Sequence, residues 1–305
     1  MKKENKPYFV QSIQEEHSFW GLPKPMHPLV SVFRYSEDYK AEPTLPEHRA
    51  FGFYAISIKK NYAGKFRYGQ RYYDFDAGVM TFISPNQVLS FKQGDVTPTE
   101  GVTLLIHPDF LASYPLAKNI KRYGFFSYEV NEALHLSEQE EETLETIFKN
   151  IEREYQSNID QFSQDVMIAQ IELLLQYCNR FYNRQFITRK IANDEVLIRL
   201  ENLLTDYFND ETSLALGIPT VQFVSERLNV STNYLSDMLR SITGQTTQQH
   251  IHNKLIDKAK ELLSTTNLSV REIAYQLGFE YPQSFNKLFK KKTDISPLEF
   301  RQSFN

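Results

Sequence analysis

The part of the chain that most limits its fold is the end, Ser269 to Arg301, which reads SVREIAYQLGFEYPQSFNKLFKKKTDISPLEFR. Ser269 and Glu272 form a capping box, in which each side chain satisfies a free backbone N–H at a helix start. Ile273, Ala274 and Leu277 supply an apolar face. Gly278 stops that helix where a left-handed backbone costs little. Pro282 falls in the first turn of the next helix, where no N–H is missed. Phe285, Leu288 and Phe289 recur at helical spacing and predict the core side, which leaves Gln283, Ser284 and Lys287 outward. Two short helices about a glycine turn make a helix-turn-helix pattern. An ordinary helical hairpin shares the apolar part; the outward polar set favours a reader of DNA.

Further residues carry a resemblance. Gly278-Phe279, Phe285, Phe289-Lys290-Lys291, Ser296-Pro297 and Phe300-Arg301 stand in register with the signature that closes AraC/XylS-family transcription regulators. Val221 to Gly244 resembles the family's first helix-turn-helix, with Tyr234-Leu235 and Thr243-Gly244 in register. Leu255, Ala259 and Leu262-Leu263 resemble its linker helix. The resemblance implies an all-α DNA-binding domain with two helix-turn-helix units over residues 190–305.

Within the first unit a helix is expected over Val221 to Leu228. Asn229 then tolerates a left-handed turn, and Ser231 caps the next helix. Leu235 and Leu239 face inward. The base-reading candidates of the two units are Asn233, Ser236, Asp237, Gln283, Ser284 and Lys287. Asn and Gln can bond adenine in two places, and Lys can reach guanine. Arg240, Lys290, Lys291 and Arg301 are the phosphate candidates, which fix register without reading sequence. Thr247 to Leu263 is expected to be a helix of roughly 25 Å at 1.5 Å per residue. In the family such a helix holds the reading helices about one DNA turn apart, roughly 34 Å. His250 and His252 lie two apart, so on a helix they point away from each other and cannot share an ion. Two residues depart from the family pattern: Asp237, an acid among the first unit's base readers, and Asp294, where a glycine is usual.

The formal charge of −4 hides an uneven distribution. Arg227 to Asn305 holds 11 Lys and Arg against 7 Asp and Glu, so the helix-turn-helix end is basic and the remainder acidic. At 305 residues the chain has room for two cores. Its single cysteine, Cys178, allows no internal disulfide and fits a reducing compartment. The opening residues lack the apolar core of a signal peptide, and no apolar run approaches the ~20 residues of a bilayer span. The expectation is a cytoplasmic protein with no membrane contact.

Residues 1 to about 28 read as an arm without periodicity, broken by Pro7, Pro23, Pro25 and Pro28. From Leu29 to Pro108, LVSVFRY, AFGFYAISI, GKFRY, GVMTFIS and VTLLIHP read as short strands between Gly- and Asn-bearing turns, the pattern of a barrel or sandwich. Tyr73 to Gly78, followed by Phe82 to Asn86, resembles the cupin-like effector domain of AraC-type regulators. His27, His48 and His107 are isolated, so no metal site is expected and no cofactor is called for. No catalytic triad is legible. Phe33, Tyr35, Phe51, Phe53, Phe66, Tyr68, Tyr72 and Phe82 are the candidate lining of an effector pocket. The plainer reading is that they fill the core. Arg49, Arg67 and Arg71 either meet an anionic ligand or reach solvent.

A helical pattern starts at Ser137, capped with Glu140 and carrying Leu144, Ile147, Ile151 and Tyr155. A second helix, about Phe162 to Tyr182, has a wide apolar face that includes Met167, Ile171, Leu174, Cys178 and Phe181. Arg184 to Asn193 reads as a linker, Asp194 as the cap of a helix through Phe208, and Asn209 to Pro219 as a loop.

The whole is then an α+β multidomain chain: residues 1–136, an arm and a cupin-like β-barrel; 137–189, a helical hairpin that dimerises in AraC-like proteins; and 190–305, the DNA-binding domain. The function expected is a homodimeric regulator of promoter DNA, controlled by a small molecule in the barrel and in contact with RNA polymerase. The competing readings are a regulator whose barrel is structural or binds a protein, and an enzyme with a DNA-binding tail; the absence of catalytic clusters argues against the latter.

Overall fold

The computed structural model describes residues 7–35, 46, 48–60, 67–68, 71–72, 78–90, 100–128, 132–188, 190–210 and 212–303. The chain divides into two compact units, Met1–Gln185 and Phe186–Asn305. Among the described residues no helix is long and apolar enough to cross a membrane.

The first unit begins with β1 (Tyr8–Val10) and α1 (Ile13–Phe19), where a structureless arm was expected. Ser12 caps α1 by accepting from the Glu15 N–H. The strands β2 (Val30–Arg34), β3 (His48–Phe51), β4 (Tyr54–Lys60), β5 (Arg67–Tyr68), β6 (Arg71–Tyr72), β7 (Val79–Ile83), β8 (Val88–Ser90) and β9 (Glu100–Ile106) follow. Then come α2 (Pro108–Leu111), α3 (Leu116–Asn119), β10 (Leu134–His135), α4 (Glu138–Gln156) and α5 (Ser163–Thr188). The described strands form three open sheets, in the orders β1-β3-β8, β10-β7-β4-β9-β2 and β5-β6, rather than a closed barrel.

AFGFYAISI, read as one strand, is two. The chain breaks at Gly52-Phe53 and passes from the three-stranded sheet to the five-stranded one. Gly52 donates its N–H to the Val10 carbonyl, and Asn86 donates to Phe51. A Cβ on residue 52 would sit 3.2 Å from the Gln11 carbonyl oxygen, which is why glycine fits there.

The central strand β4 is buried at every residue from Tyr54 to Ile58, because both faces of its sheet are covered. Ala55 pairs with Leu105 and Ile83 on one face, where Val10, Ile13, Phe51 and Phe53 pack. One residue along, Ile56 pairs with Leu104 and Phe82 on the other. There Phe82 meets Phe125 at 4.4 Å between ring centroids, and Met80 lies 3.6 Å from Cys178 of α5. α4 starts at the expected Ser137–Glu140 capping box and buries Leu144, Ile147 and Ile151. Its acidic face holds strand ends of the sheet: Glu145 and Glu152 accept from Arg34 of β2, and Glu141 pairs with Lys60 of β4.

Arg184 to Asn193 is helical through Thr188 and again from Lys190, not an extended linker. Three of its polar residues have partners: Arg184 donates to Glu140, Gln185 accepts from the His135 N–H, and the buried Asn193 donates to the Phe186 carbonyl. The second unit then runs through α6 (Lys190–Asn209), α7 (Thr212–Leu216), α8 (Val221–Leu228), α9 (Thr232–Thr243), α10 (Thr247–Thr265), α11 (Val270–Gln276), α12 (Pro282–Thr293) and α13 (Pro297–Gln302). α6 starts four residues ahead of the expected Asp194 cap, and α7 occupies the stretch read as a loop. Leu255, Ala259 and Leu263 of α10 join Ile273, Leu277, Phe285 and Phe289 in one buried cluster.

Candidate nucleic-acid interface

Each helix-turn-helix is fixed by local chemistry. α8 is capped by Thr220, which accepts from the Phe223 N–H, and ends at Asn229 with φ 60°. Ser231 opens α9 by accepting from the Tyr234 N–H. α11 opens at the Ser269–Glu272 capping box, and Gly278 (φ 88°) turns the chain toward α12. α12 has Pro282 at its first turn and ends at Asp294, which takes the left-handed conformation at φ 65°. Aspartate therefore fills the role of the glycine usual there, at some strain. Ser296 and Glu299 close a further capping box at α13.

α10 separates the two units. Its 19 residues span about 28 Å. Thr246 and Gln249 cap its start. A polar chain crosses it: Lys292 at the end of α12 donates to Asn253 at 2.9 Å, and Asn253 donates to Gln245 at 2.8 Å. This chain joins the second reading helix to the turn after α9. His250 bonds Thr243 while His252 bonds Gln248, so the two rings serve different partners.

Over the buried Phe285 and Phe289, the α12 residues Gln283, Ser284, Lys287, Lys290 and Lys291 are all exposed. Gln283, Ser284, Lys287 and Lys291 share one face at helical spacing. A groove of about 550 Å³ opens between α12 and α13, lined by Lys287, Lys290 and Lys291 over Val270, Pro297 and Leu298. Asn286 lines it too and is exposed. Its position three residues after Gln283 was the signal available for it in the sequence.

The first unit is less open. Leu235, Met238 and Leu239 of α9 are buried and Asn233 is exposed. Ser236 turns toward α10 and bonds Thr247 at 3.0 Å. Asp237 pairs with Arg240 at 3.1 Å, which neutralises both on the outer face. Arg301 is half-buried and donates from Nε to the Leu263 carbonyl at the end of α10. It is held against the domain rather than projecting from it.

The effector-pocket candidates separate. Phe33, Phe51 and Phe53 lie on one side of the five-stranded sheet, where Tyr35 bonds Thr103 at 2.8 Å and packs edge-on to Phe33. Phe82 lies on the opposite side, packed among Phe125, Phe126 and Tyr182, because its register on β7 is one residue from that of Ile83. Phe66, the rest of its strand before Arg67 and the Tyr73–Ala77 motif lie outside the described residues, as do the side chains of Arg67, Tyr68, Arg71 and Tyr72. Arg49 does not reach solvent. It is 1% exposed and faces Glu16 of α1 at 3.9 Å, beside the Phe51 ring. Burial raises the Glu16 carboxyl above its ordinary value and lowers the Arg49 guanidinium. Sequence reasoning missed this pair, since its acid lies in the stretch read as an arm. His107 caps α2, and the His27 Nδ1 accepts from the Leu29 N–H. Among the described residues no group of three or more His, Cys, Asp or Glu is assembled to hold a metal.

The family match falls within the second unit. Residues 224–303 match the model of a family described as a helix-turn-helix domain. The chain is 31% identical over 111 residues to an uncharacterized HTH-type transcriptional regulator, YisR, of Bacillus subtilis, a stretch covering 36% of each chain. It is 34% identical over 110 residues to the HTH-type transcriptional activator RhaS of an Enterobacter species, covering 36% of this chain and 37% of that one. The matched stretch thus spans a little over a third of these relatives' length. Among solved structures, the C-terminal domain of the two-component response regulator yesN from Fusobacterium nucleatum is 34% identical, with a TM-score of 0.31, over 35% of this chain and 98% of that one.

Proposed function

We propose, from a C-terminal domain that belongs to the AraC/XylS type, that the whole chain is a sequence-specific regulator of transcription that binds promoter DNA through both helix-turn-helix units. The observation that carries this is α12: a row of exposed amide, hydroxyl and ammonium groups set on two fully buried phenylalanines. A helix so anchored can enter a major groove without losing its own core. Gln283, Ser284 and Lys287 take the base-reading role, joined by Asn286. Lys290 and Lys291 take phosphates. In the first unit Asn233 is the open reader; Ser236 and the Asp237–Arg240 pair contribute less. Arg301 acts as a brace between α13 and α10.

The test is selection of bound sequences from random duplexes by the full-length protein at a fixed salt concentration, because phosphate contacts make affinity salt-dependent. Two short elements about one helical turn apart are expected. One element per subunit would remove the first unit from the reading. No enrichment at any salt would overturn the proposal.

The rest of the regulator rests on the N-terminal unit, Met1–Gln185. The α4–α5 hairpin is the proposed dimer element. Phe162, Val166 and Leu173 leave an exposed apolar stripe there, opposite the face that covers the sheet. A cupin-like effector role for the sheets, cytoplasmic location, polymerase contact and absence of catalysis complete the reading. A second reading, in which the first unit is structural or binds a protein, is favoured by one observation: Phe33, Phe51 and Phe53 fill their side of the sheet as packed core. Metabolites that raise the full-length protein's melting temperature and change operator affinity would decide for the first.

A further inference from the structure

Beside the start of β2, the first unit holds a cleft of about 620 Å³ where three parts of the chain meet. The segment leading into β2 forms one wall, Phe110 of α2 another, and the α4–α5 turn the third. The size is that of a small-molecule site. Its floor is apolar: Val30, Phe110 and Met167 are buried. Its rim carries two carboxylates, Glu154 and Asp160, and neither Lys nor Arg. Asp160 accepts from the Phe162 and Ser163 N–H groups, which hold its carboxyl below its ordinary value and keep it charged. Glu154 has no ion-pair partner among the described residues. His27 stands edge-on to Phe110 at 5.5 Å, and burial lowers its pKa, so it brings no compensating charge at neutral pH. At the mouth Met26 and Ile159 are 62% and 75% exposed and extend the apolar floor outward.

We propose that this cleft binds an organic cation, an amine or quaternary ammonium with an aromatic or alkyl body. The body lies on Val30, Phe110 and Met167, and the cationic head faces Glu154 and Asp160 with the Tyr155 ring beside it, where ring and carboxylate attract the same charge. The walls are already tied together: Met26 donates its N–H to Tyr155 at 2.7 Å, and Gln164 donates to the Phe110 carbonyl at 2.8 Å. An occupant therefore bears at once on the segment before β2 and on the hairpin. The site lies on the other side of the sheet from Phe33, Phe51 and Phe53, and its binding does not depend on the regulator reading.

The test is calorimetric titration of the full-length protein with phenethylamine, phenyltrimethylammonium and, as an anion of like shape, phenylacetate. The two cations are expected to bind at least tenfold more tightly than the anion. Glu154→Gln is expected to weaken the cations about tenfold. Ile159→Lys, at an exposed position, places a like charge at the mouth and is expected to abolish their binding with the unliganded melting temperature unchanged. Equal affinity for anion and cation, no binding of any probe, or cation binding unaffected by both substitutions would overturn the proposal. Loss of DNA binding in a separate assay would leave it standing.

Discussion

Gly278→Ala and Gly244→Ala separate two contributions that usually come mixed. Both glycines follow a helix with positive φ, 88° at Gly278 and 73° at Gly244. An alanine in that conformation costs about 1–2 kcal/mol at either place. The surroundings differ. A Cβ at 244 meets nothing within 4 Å, whereas a Cβ at 278 lies 2.6 Å from the Gly217 carbonyl carbon and 2.7 Å from the Ser213 carbonyl oxygen. Those atoms are backbone, fixed by the Tyr207 hydroxyl on the Gly217 carbonyl and by the Ser213 hydroxyl on the Gln276 carbonyl. Forcing them apart adds about 1–3 kcal/mol. The expectation is a loss of about 2–5 kcal/mol for Gly278→Ala and about 1–2 for Gly244→Ala. A domain has only about 5–15 kcal/mol to lose. Urea unfolding of the full-length protein, followed by far-ultraviolet circular dichroism with a transition fitted for each unit, reads both. Equal losses at an unchanged m-value would refute the crowding argument. A neutral Gly278→Ala would refute the backbone argument as well.

Asp294→Gly relieves the left-handed aspartate after α12 and is expected to stabilise the second unit by about 0.5–1 kcal/mol, seen as a higher urea midpoint. Hydrogen bonds from the Ser269 hydroxyl and N–H lower the Glu272 carboxyl below its ordinary 4.5. A depressed folded pKa gives stability that is complete above 4.5 and lost as the pH falls through the folded value. Glu272→Gln should therefore flatten the acid limb of the stability curve. Burial raises the Cys178 thiol far above its ordinary value, so thiol reagents should leave the folded protein untouched and react once the first unit unfolds. Lys290→Ala and Lys291→Ala should each weaken binding alike across DNA sequences and reduce the salt slope by about 1; a change in the selected sequence instead would make them base readers.

The second unit was the more legible because its signals are local. Asn229, Ser231, Gly278 and Ser296 each satisfy or release backbone groups within four residues, so helix ends can be read from the sequence alone. α7 escaped because five residues make too short a period to detect, and its place is set by contact with the Gly278 turn, where Ser213 bonds Gln276 across 63 positions. In the first unit the strands were visible as apolar runs, but which face each ring takes was not. Phe82 and Ile83 are adjacent in sequence and lie on opposite sides of the sheet. Arg49 misled for a like reason: its partner Glu16 lies 33 positions away, on a helix too short for periodicity to reveal. The α4 and α5 stripes were readable because a long helix repeats its apolar face several times.

β1 pairs in parallel with β3, so β3 is the middle strand of its sheet and not an edge. Without the opening residues, the Arg49 to Phe51 backbone would present unpaired N–H and C=O groups, and Val10 and Ile13 would vacate the face that holds Phe51 and Phe53. Tyr8 to Ile13 are thus part of the fold of the first unit. Truncation through Val10 would open a sticky strand edge and release the Tyr8 hydroxyl from Glu15. Recombination that grafts this N-terminal unit onto another DNA reader must carry the arm with it.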